Sequence, residues 1–259
     1  MKNNNISKLF SIENKVIIIT GGGGDIGSIL SKNMAKLGAH VFSIDKKFEK
    51  KILKKSETNI VQLNCDITNN IKFEKICNKI YKKFKKIDVL INNAGITLPQ
   101  DKDEFYSKKN WLKTLDVNLN ASFYSSQTVI KKMIIQKKGS IINITSLNAE
   151  LAFPNNPAYM ASKGGLKMLG KSLAKDWGRY GIRVNNLGPG YIKTSMTSKS
   201  HANKKTKKLR ENQTMLGRWG DIEDLVGPCV FLASDSSKYI TAQDLYVDGG
   251  WTSNGLPLN

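Results

Sequence analysis

Tyr159 and Lys163 sit one helical turn apart in Tyr159-Met-Ala-Ser-Lys163. Ser146 stands thirteen residues before the tyrosine, at the end of the apolar run Ile141-Ile142-Asn143-Ile144-Thr145-Ser146. Together these three side chains make a proton-transfer device. A phenol ionises near pH ~10 when unperturbed, too high for acid–base work at neutrality. A lysine four residues further along a helix shares the tyrosine's face, and its ammonium charge favours the phenolate. A serine hydroxyl can hold a substrate oxygen beside that phenol. The spacing alone says little in so lysine-rich a chain, because Tyr81-Lys-Lys-Phe-Lys85 has it too and reads as a solvated amphipathic helix. The 159–163 copy differs in coming with a strand-end serine and with a glycine loop.

That loop is Thr20-Gly-Gly-Gly-Gly-Asp-Ile-Gly27, which follows an apolar strand-like run and opens a helical pattern. Within it, Gly22-x-Gly24-x-x-Gly27 has the dinucleotide spacing. Glycines let the backbone approach a pyrophosphate, and the helix N-terminus supplies N–H groups and the positive end of its dipole. Asp45 ends the next strand, about twenty residues on, where a carboxylate accepts from a ribose 2′-hydroxyl and repels a 2′-phosphate. This points to NAD, with NADP the less favoured cofactor, although Lys46 and Lys47 soften the discrimination. Asp66, after the third strand, is placed to accept from an adenine amino group. Asn92-Asn93-Ala94-Gly95, after the fourth, is placed to hold the centre of the sheet and border the adenine ribose. Read singly, each of these also fits ordinary turn chemistry.

The elements that must position these residues alternate strand and helix along the whole chain, which predicts βαβ units and a parallel sheet. Strands are expected near 15–20, 40–45, 59–65, 87–92, 140–145, 182–187 and 244–248. Helices are expected over about 25–37, 69–84, 109–137, 157–178 and 221–234, with Gly38 closing the first. The fold class is therefore α/β: a single Rossmann domain over 13–259, with a seven-stranded doubly wound sheet and helices on both faces. The ligand crevice belongs at the carboxyl ends of the strands. Residues 1–12 read as a mobile or loosely docked tail.

With 259 residues and 40% apolar content, the chain can bury one large core. No signal-like or membrane-length apolar run is seen, so no membrane partner is expected. Cys65, Cys77 and Cys229 form no Cys-x-x-Cys and suggest neither a disulfide framework nor a metal site. A soluble cytoplasmic protein is the expectation. The formal charge of +20 invites a nucleic-acid reading. Against it, Arg179, Arg183, Arg210 and Arg218 are the only arginines, and the lysines are spread without a single basic stripe. No nucleic-acid partner is expected.

From about residue 12 to 252 the chain resembles the short-chain dehydrogenase/reductase family. The loop Thr20–Gly27 matches that family's Thr-Gly-x-x-x-Gly-x-Gly, except that Asp25 replaces the middle glycine, where it can cap the helix rather than face the phosphates. The resemblance implies Ser146, Tyr159 and Lys163 as the catalytic trio. It implies Asn118, in Asp116-Val-Asn118-Leu, as the residue supporting a water relay to the lysine. It places Gly21, Gly24, Asp25, Ile26, Asp45, Asp66, Ile67, Asn93, Ala94 and Gly95 against the cofactor, together with Tyr159 and Lys163. Pro189, Gly190, Ile192 and Thr194 match the segment over the nicotinamide, and Val247-Asp-Gly-Gly250 the last strand. The family often packs as a tetramer, so a homotetramer, or a homodimer, is implied.

The implied reaction moves a hydride between nicotinamide and a secondary alcohol or ketone, with Tyr159 handling the hydroxyl proton. Residues 191–218 should form a helical flap over the substrate. The flap is rich in cations: Lys193, Lys199, Lys204, Lys205, Lys207, Lys208 and Arg210 precede its first acid, Glu211. One reading is attraction of an anionic substrate, such as a sugar acid or a phosphorylated or nucleotide-linked sugar; the other is that the flap shares the general lysine excess. Leu173 to Met196 and Tyr246–Trp251 most resemble the gluconate 5-dehydrogenase-like and sugar dehydrogenase branch. Asn148, Glu150, Asn155 and Asn156 suit a polyhydroxylated ligand. The alternatives are an NADPH-dependent 3-oxoacyl-carrier-protein reductase and a non-catalytic NAD-sensing or scaffold protein.

Overall fold

Five consecutive residues with no exposed side chain, Val16–Thr20, form β1, as a strand covered on both faces requires. In the computed structural model, which describes residues 4–48, 59–100 and 105–255, this strand lies inside a seven-stranded, wholly parallel sheet. The other strands are β2 (His40–Asp45), β3 (Ile60–Asn64), β4 (Val89–Asn92), β5 (Gly139–Ile144), β6 (Ile182–Pro189) and β7 (Asp244–Val247). Their order is β3-β2-β1-β4-β5-β6-β7. The chain reverses its direction of travel across the sheet between β1 and β4, the switch point where such sheets open a ligand crevice.

The helices are α1 (Asn4–Phe10), α2 (Asp25–Lys36), α3 (Asn70–Phe84), α4 (Lys108–Leu115), α5 (Ala121–Gln136), α6 (Pro157–Trp177), α7 (Ser198–Ala202), α8 (Lys204–Gln213) and α9 (Val226–Ala233). Alternate β1 residues face opposite ways. Val16 and Ile18 pack with Cys77 of α3, Val129 of α5 and Leu173 of α6. Ile17 and Ile19 pack with Leu30 of α2 and Leu232 of α9. The result is one domain with helices on both faces. No helix among the described residues is long and apolar enough to cross a membrane.

Three expectations need correction. The helix expected over 109–137 is interrupted: α4 and α5 are joined by a π-helical turn, Asp116–Asn120. The expected 221–234 helix begins as a 3₁₀ turn, Ile222–Leu225, before α9. In the expected tail, residues 1–3 lie outside the described residues, Asn4–Phe10 are helical, and the Phe10 ring meets Phe231 at 6.4 Å between centroids. Ile12 then enters the core, 1% exposed.

A row of buried amides crosses the sheet beneath the crevice. Ser125 Oγ donates to Asn92 Oδ1 at 2.7 Å. Asn92 Nδ2 donates to Asn143 Oδ1 at 2.9 Å, and Asn143 Nδ2 to Asn186 Oδ1 at 3.0 Å. Asn186 Nδ2 ends the row on Asp244 Oδ1 at 2.7 Å. These residues are register partners across β4 to β7. Gly170 lets α6 settle onto the row, since a Cβ there would stand 2.4 Å from Asn186 Oδ1.

Candidate active site

The glycine loop leaves β1 with Gly21 at φ +65°, a left-handed conformation open to glycine. Gly27 is required by close approach: a Cβ there would meet Gly21 O at 2.2 Å. The turn is tied to the one after β4, because Asn93 Nδ2 donates to the carbonyls of Thr20 (2.9 Å) and Gly21 (3.0 Å). Thr20 Oγ1 accepts from the N–H groups of Asn93 and Ala94, both at 3.1 Å. No side chain caps α2. Its leading N–H groups, which have no partner inside a helix, therefore open onto the crevice.

That crevice collects Gly21, Gly24, Asp25, Ile26, Asp45, Asp66, Ile67, Asn93, Ala94, Gly95 and Thr194. An uncapped helix start, glycines at close approach and two carboxylates at the far end are a donor and acceptor set that fits a dinucleotide. The Asp45 carboxylate is fastened to the loop, accepting from Gly23 N at 2.9 Å and Lys47 N at 3.3 Å. Asp66 pairs with Lys46 at 2.6 Å and accepts from Thr68 N and Oγ1. Partial burial raises the Asp66 carboxyl, but the Lys46 and Thr68 hydrogen bonds outweigh this and hold it below its ordinary range. Asp25 does not cap α2. Its Oδ2 crosses to the flap and accepts from Ser195 N at 2.6 Å.

A second pocket continues from the first, sharing Ile26, Asn93, Gly95, Thr194 and Met196 with it. It holds Ser146, Tyr159 and Lys163, along with Pro189, Gly190 and Ile192. Ser146 follows β5, and its Oγ donates to Asn148 Oδ1 at 3.0 Å. Tyr159 and Lys163 project from the first turns of α6, which Pro157 opens. Burial raises the Tyr159 phenol above its ordinary value; the neighbouring Ser146 hydroxyl offsets only part of this, and Tyr191 adds to it. Lys163 is buried, 4% exposed, and donates to Ile144 O at 2.7 Å. Its Nζ lies 5.7 Å from the Tyr159 ring centroid. Burial pulls the ammonium down from 10.5 to about 8.

Asn118 lies behind this wall rather than on it. The π turn points its side chain at Ile96, accepting from Ile96 N (2.8 Å) and donating to Ile96 O (3.0 Å) and Ser162 Oγ (3.0 Å). A π turn widens the helix by one residue and recurs at functional positions. Gly95 lies beside both groups: a Cβ there would stand 3.4 Å from Lys163 Nζ and 3.5 Å from Asn118 Oδ1.

The polar positions expected around a substrate divide. Asn148 and Asn156 line the pocket; Glu150 does not, being held by Lys167 and Tyr246. Asn155 is a turn residue at φ 65° and also lies off the lining. An aromatic wall went unseen in the sequence. Tyr191 stacks near Trp251 (4.9 Å), Trp219 (5.3 Å) and Phe153 (6.1 Å), and Arg210 of α8 lies over Tyr191. The only sequence signal was aromatic residues scattered over 153–251.

The family described as enoyl-(acyl carrier protein) reductase matches residues 23–252. Gluconate 5-dehydrogenase of Gluconobacter oxydans is 38% identical over 94% of this chain and 97% of its own length. 2-Dehydro-3-deoxy-D-gluconate 5-dehydrogenase of Dickeya dadantii is 33% identical, over 95% and 98%. A crystal structure of a gluconate 5-dehydrogenase from Burkholderia cenocepacia, in complex with NADP and tartrate, superposes with a TM-score of 0.88 at 31% identity, covering 96% of this chain and 99% of that one. With the glycine loop, the parallel sheet and the site geometry, these matches establish that the chain belongs to the short-chain dehydrogenase/reductase family, pyridine-nucleotide-dependent oxidoreductases acting on CH–OH groups.

Proposed function

We propose that this enzyme interconverts a secondary alcohol and a ketone on a sugar or sugar acid, with Tyr159 as the proton-transferring group. The observation that carries this reading is that Ser146, Tyr159 and Lys163 line one pocket, and that this pocket opens into the glycine-loop crevice. A nicotinamide dinucleotide supplies or accepts the hydride when bound. Tyr159 exchanges the proton of the substrate oxygen, and Ser146 holds that oxygen while stabilising the phenolate. Lys163 changes charge near pH 8 and so can relay the proton onward. Asn118, anchored on Ile96 and Ser162, orders the water that continues the path past Gly95.

NAD is the preferred cofactor in this proposal, because Asp45 lines the crevice from the end of β2, where a carboxylate would accept from a ribose 2′-hydroxyl and repel a 2′-phosphate. Three solved relatives hold bound NADP. The discrimination here rests on Asp45 against Lys46, whose ammonium is engaged by Asp66 at 2.6 Å. Residues 191–218 act as the substrate flap, and a homotetramer is the proposed assembly, which light scattering measures. The deciding experiment follows nicotinamide absorbance over a panel of sugar acids and polyols with both dinucleotides. Tyr159→Phe should lose turnover by about a hundredfold or more, in line with general acid–base contributions, while retaining dinucleotide affinity. Near-normal kcat in that variant refutes the assignment. Tighter NADP than NAD binding refutes the cofactor preference.

A further inference from the structure

The described residues that line the substrate pocket carry charge of one sign. Among the described residues around it, Lys163 and Arg210 are the only ionic side chains and none is a carboxylate. Lys163 is held at the phenol end by Ile144 O. The flap lysines do not face this space: Lys193 pairs with Asp221 at 2.9 Å, Lys207 with Glu211 at 3.8 Å, and no flap lysine lines the pocket. The lysine excess that stands out in the sequence is therefore spread over the outside of the flap. The charge it presents inward is a single arginine.

Arg210 is built in rather than solvated. Its guanidinium carbon lies 3.9 Å from the Tyr191 ring centroid and 5.5 Å from that of Trp219. Its Nη1 is buried with no hydrogen-bond partner, and no carboxylate among the described residues pairs with it. Burial depresses its pKa, and the neighbouring Tyr191 phenol opposes that. A guanidinium stripped of part of its water and left without a counter-charge is costly unless a ligand supplies one. The guanidinium is planar by its own resonance, and the rings beside it hold it in position, a donor group suited in chemistry to a carboxylate.

We infer that Arg210 is the specificity-determining residue for anionic substrates, receiving the terminal carboxylate of a sugar acid whose secondary alcohol lies at Tyr159. This rests on the reading that the pocket processes a polyhydroxylated alcohol, and it adds which end of that molecule is recognised and by what. A lysine could keep the charge but neither stack as flat nor offer two parallel donors.

The test compares D-gluconate with D-glucitol, which differ at C1 by a carboxylate in place of a hydroxymethyl group. The quantity read is the ratio of kcat/KM for the two. The wild-type enzyme should favour the carboxylate, and Arg210→Gln should reduce that ratio by about tenfold to a hundredfold, the usual weight of one charge-assisted pair. Arg210→Lys should give an intermediate ratio. Binding is read independently by tryptophan fluorescence of the NADH-loaded protein, since Trp219 and Trp251 flank the stack. Gluconate-selective binding that R210Q abolishes, with turnover of neither compound, supports Arg210 and refutes the sugar-oxidoreductase reading. Turnover with an unchanged ratio in R210Q overturns the Arg210 assignment and leaves the function standing. Equal losses on both compounds also overturn it, because a structural role gives that result. Binding of neither compound counts against both.

Discussion

Replacing Lys163 with methionine should remove catalysis and yet stabilise the fold at neutral pH. In the native protein this ammonium is 4% exposed, and its pKa falls from 10.5 to about 8. That fall corresponds to about 3 kcal/mol working against the charged form. The sign follows from proton binding. Between pH 8 and 10.5 the folded protein has released a proton that the unfolded chain still holds, so native stability rises with pH across that window. Below pH 8 the full penalty is present. Methionine has a similar length and no charge to desolvate, so it escapes the penalty. It also abandons Ile144 O, whose hydrogen bond from Nζ is 2.7 Å, and an orphaned carbonyl costs roughly 1–3 kcal/mol. The expected balance is a gain of about 1 kcal/mol at pH 7. Urea unfolding of dinucleotide-free wild type and Lys163→Met, repeated from pH 7 to 10.5, measures it. The advantage of the variant should shrink as pH rises past 8 and reverse near pH ~9, leaving only the lost hydrogen bond above 10.5. A difference that stays constant with pH would refute the claim that burial of the charge is what costs stability.

The gap beside Gly95 and the contact made by Asp25 give two further expectations. Gly95→Ala puts a methyl 3.4 Å from Lys163 Nζ and 3.5 Å from Asn118 Oδ1 at a residue whose φ is not positive. The fold should tolerate it, while kcat falls about tenfold or more because the ordered water loses its space; an unchanged kcat removes water from the proton path. Asp25→Ala deletes the acceptor for Ser195 N. The lysine-rich flap should then be cut several-fold faster by trypsin, with Asp25→Asn intermediate; equal cutting rates in all three proteins would show that the contact does not hold the flap.

The sheet was legible because its strands are short apolar runs bounded by turn residues, and β1 opens with four buried aliphatic residues, Val16 to Ile19. The gathering of Ser146, Tyr159 and Lys163 around one pocket was legible for a related reason: one hangs on a strand end and two on a helix start, so periodicity fixes their faces. What could not be read was geometry made by distant partners. Asp116–Asn120 contains no glycine or proline to mark a break in the helix, and only the anchoring of Asn118 to Ile96, on the loop after β4, accompanies the widened turn. Arg210 was one cation among many in the flap until packing placed Tyr191 and Trp219 beneath it. Asp25 looked like a helix cap by position, but its partner lies 170 residues away. Glu150 and Asn155 seemed suited to a sugar only because loops are polar; the first is taken by Lys167 and Tyr246.

The buried amide row has a direction, since each member gives a proton to the next and the last gives to a carboxylate. A slip of one residue in any of these strands would turn one amide to the opposite face and strand two neighbours in a dry core. The strands therefore have a single alignment available to them. Gly95, Ser146 and Pro189 each follow an amide of that row by three residues, Asn92, Asn143 and Asn186 in turn. Side chains set beneath the crevice thus act as the common datum from which residues of the proposed site are levelled, and damage to them should surface first as lost alignment at the rim.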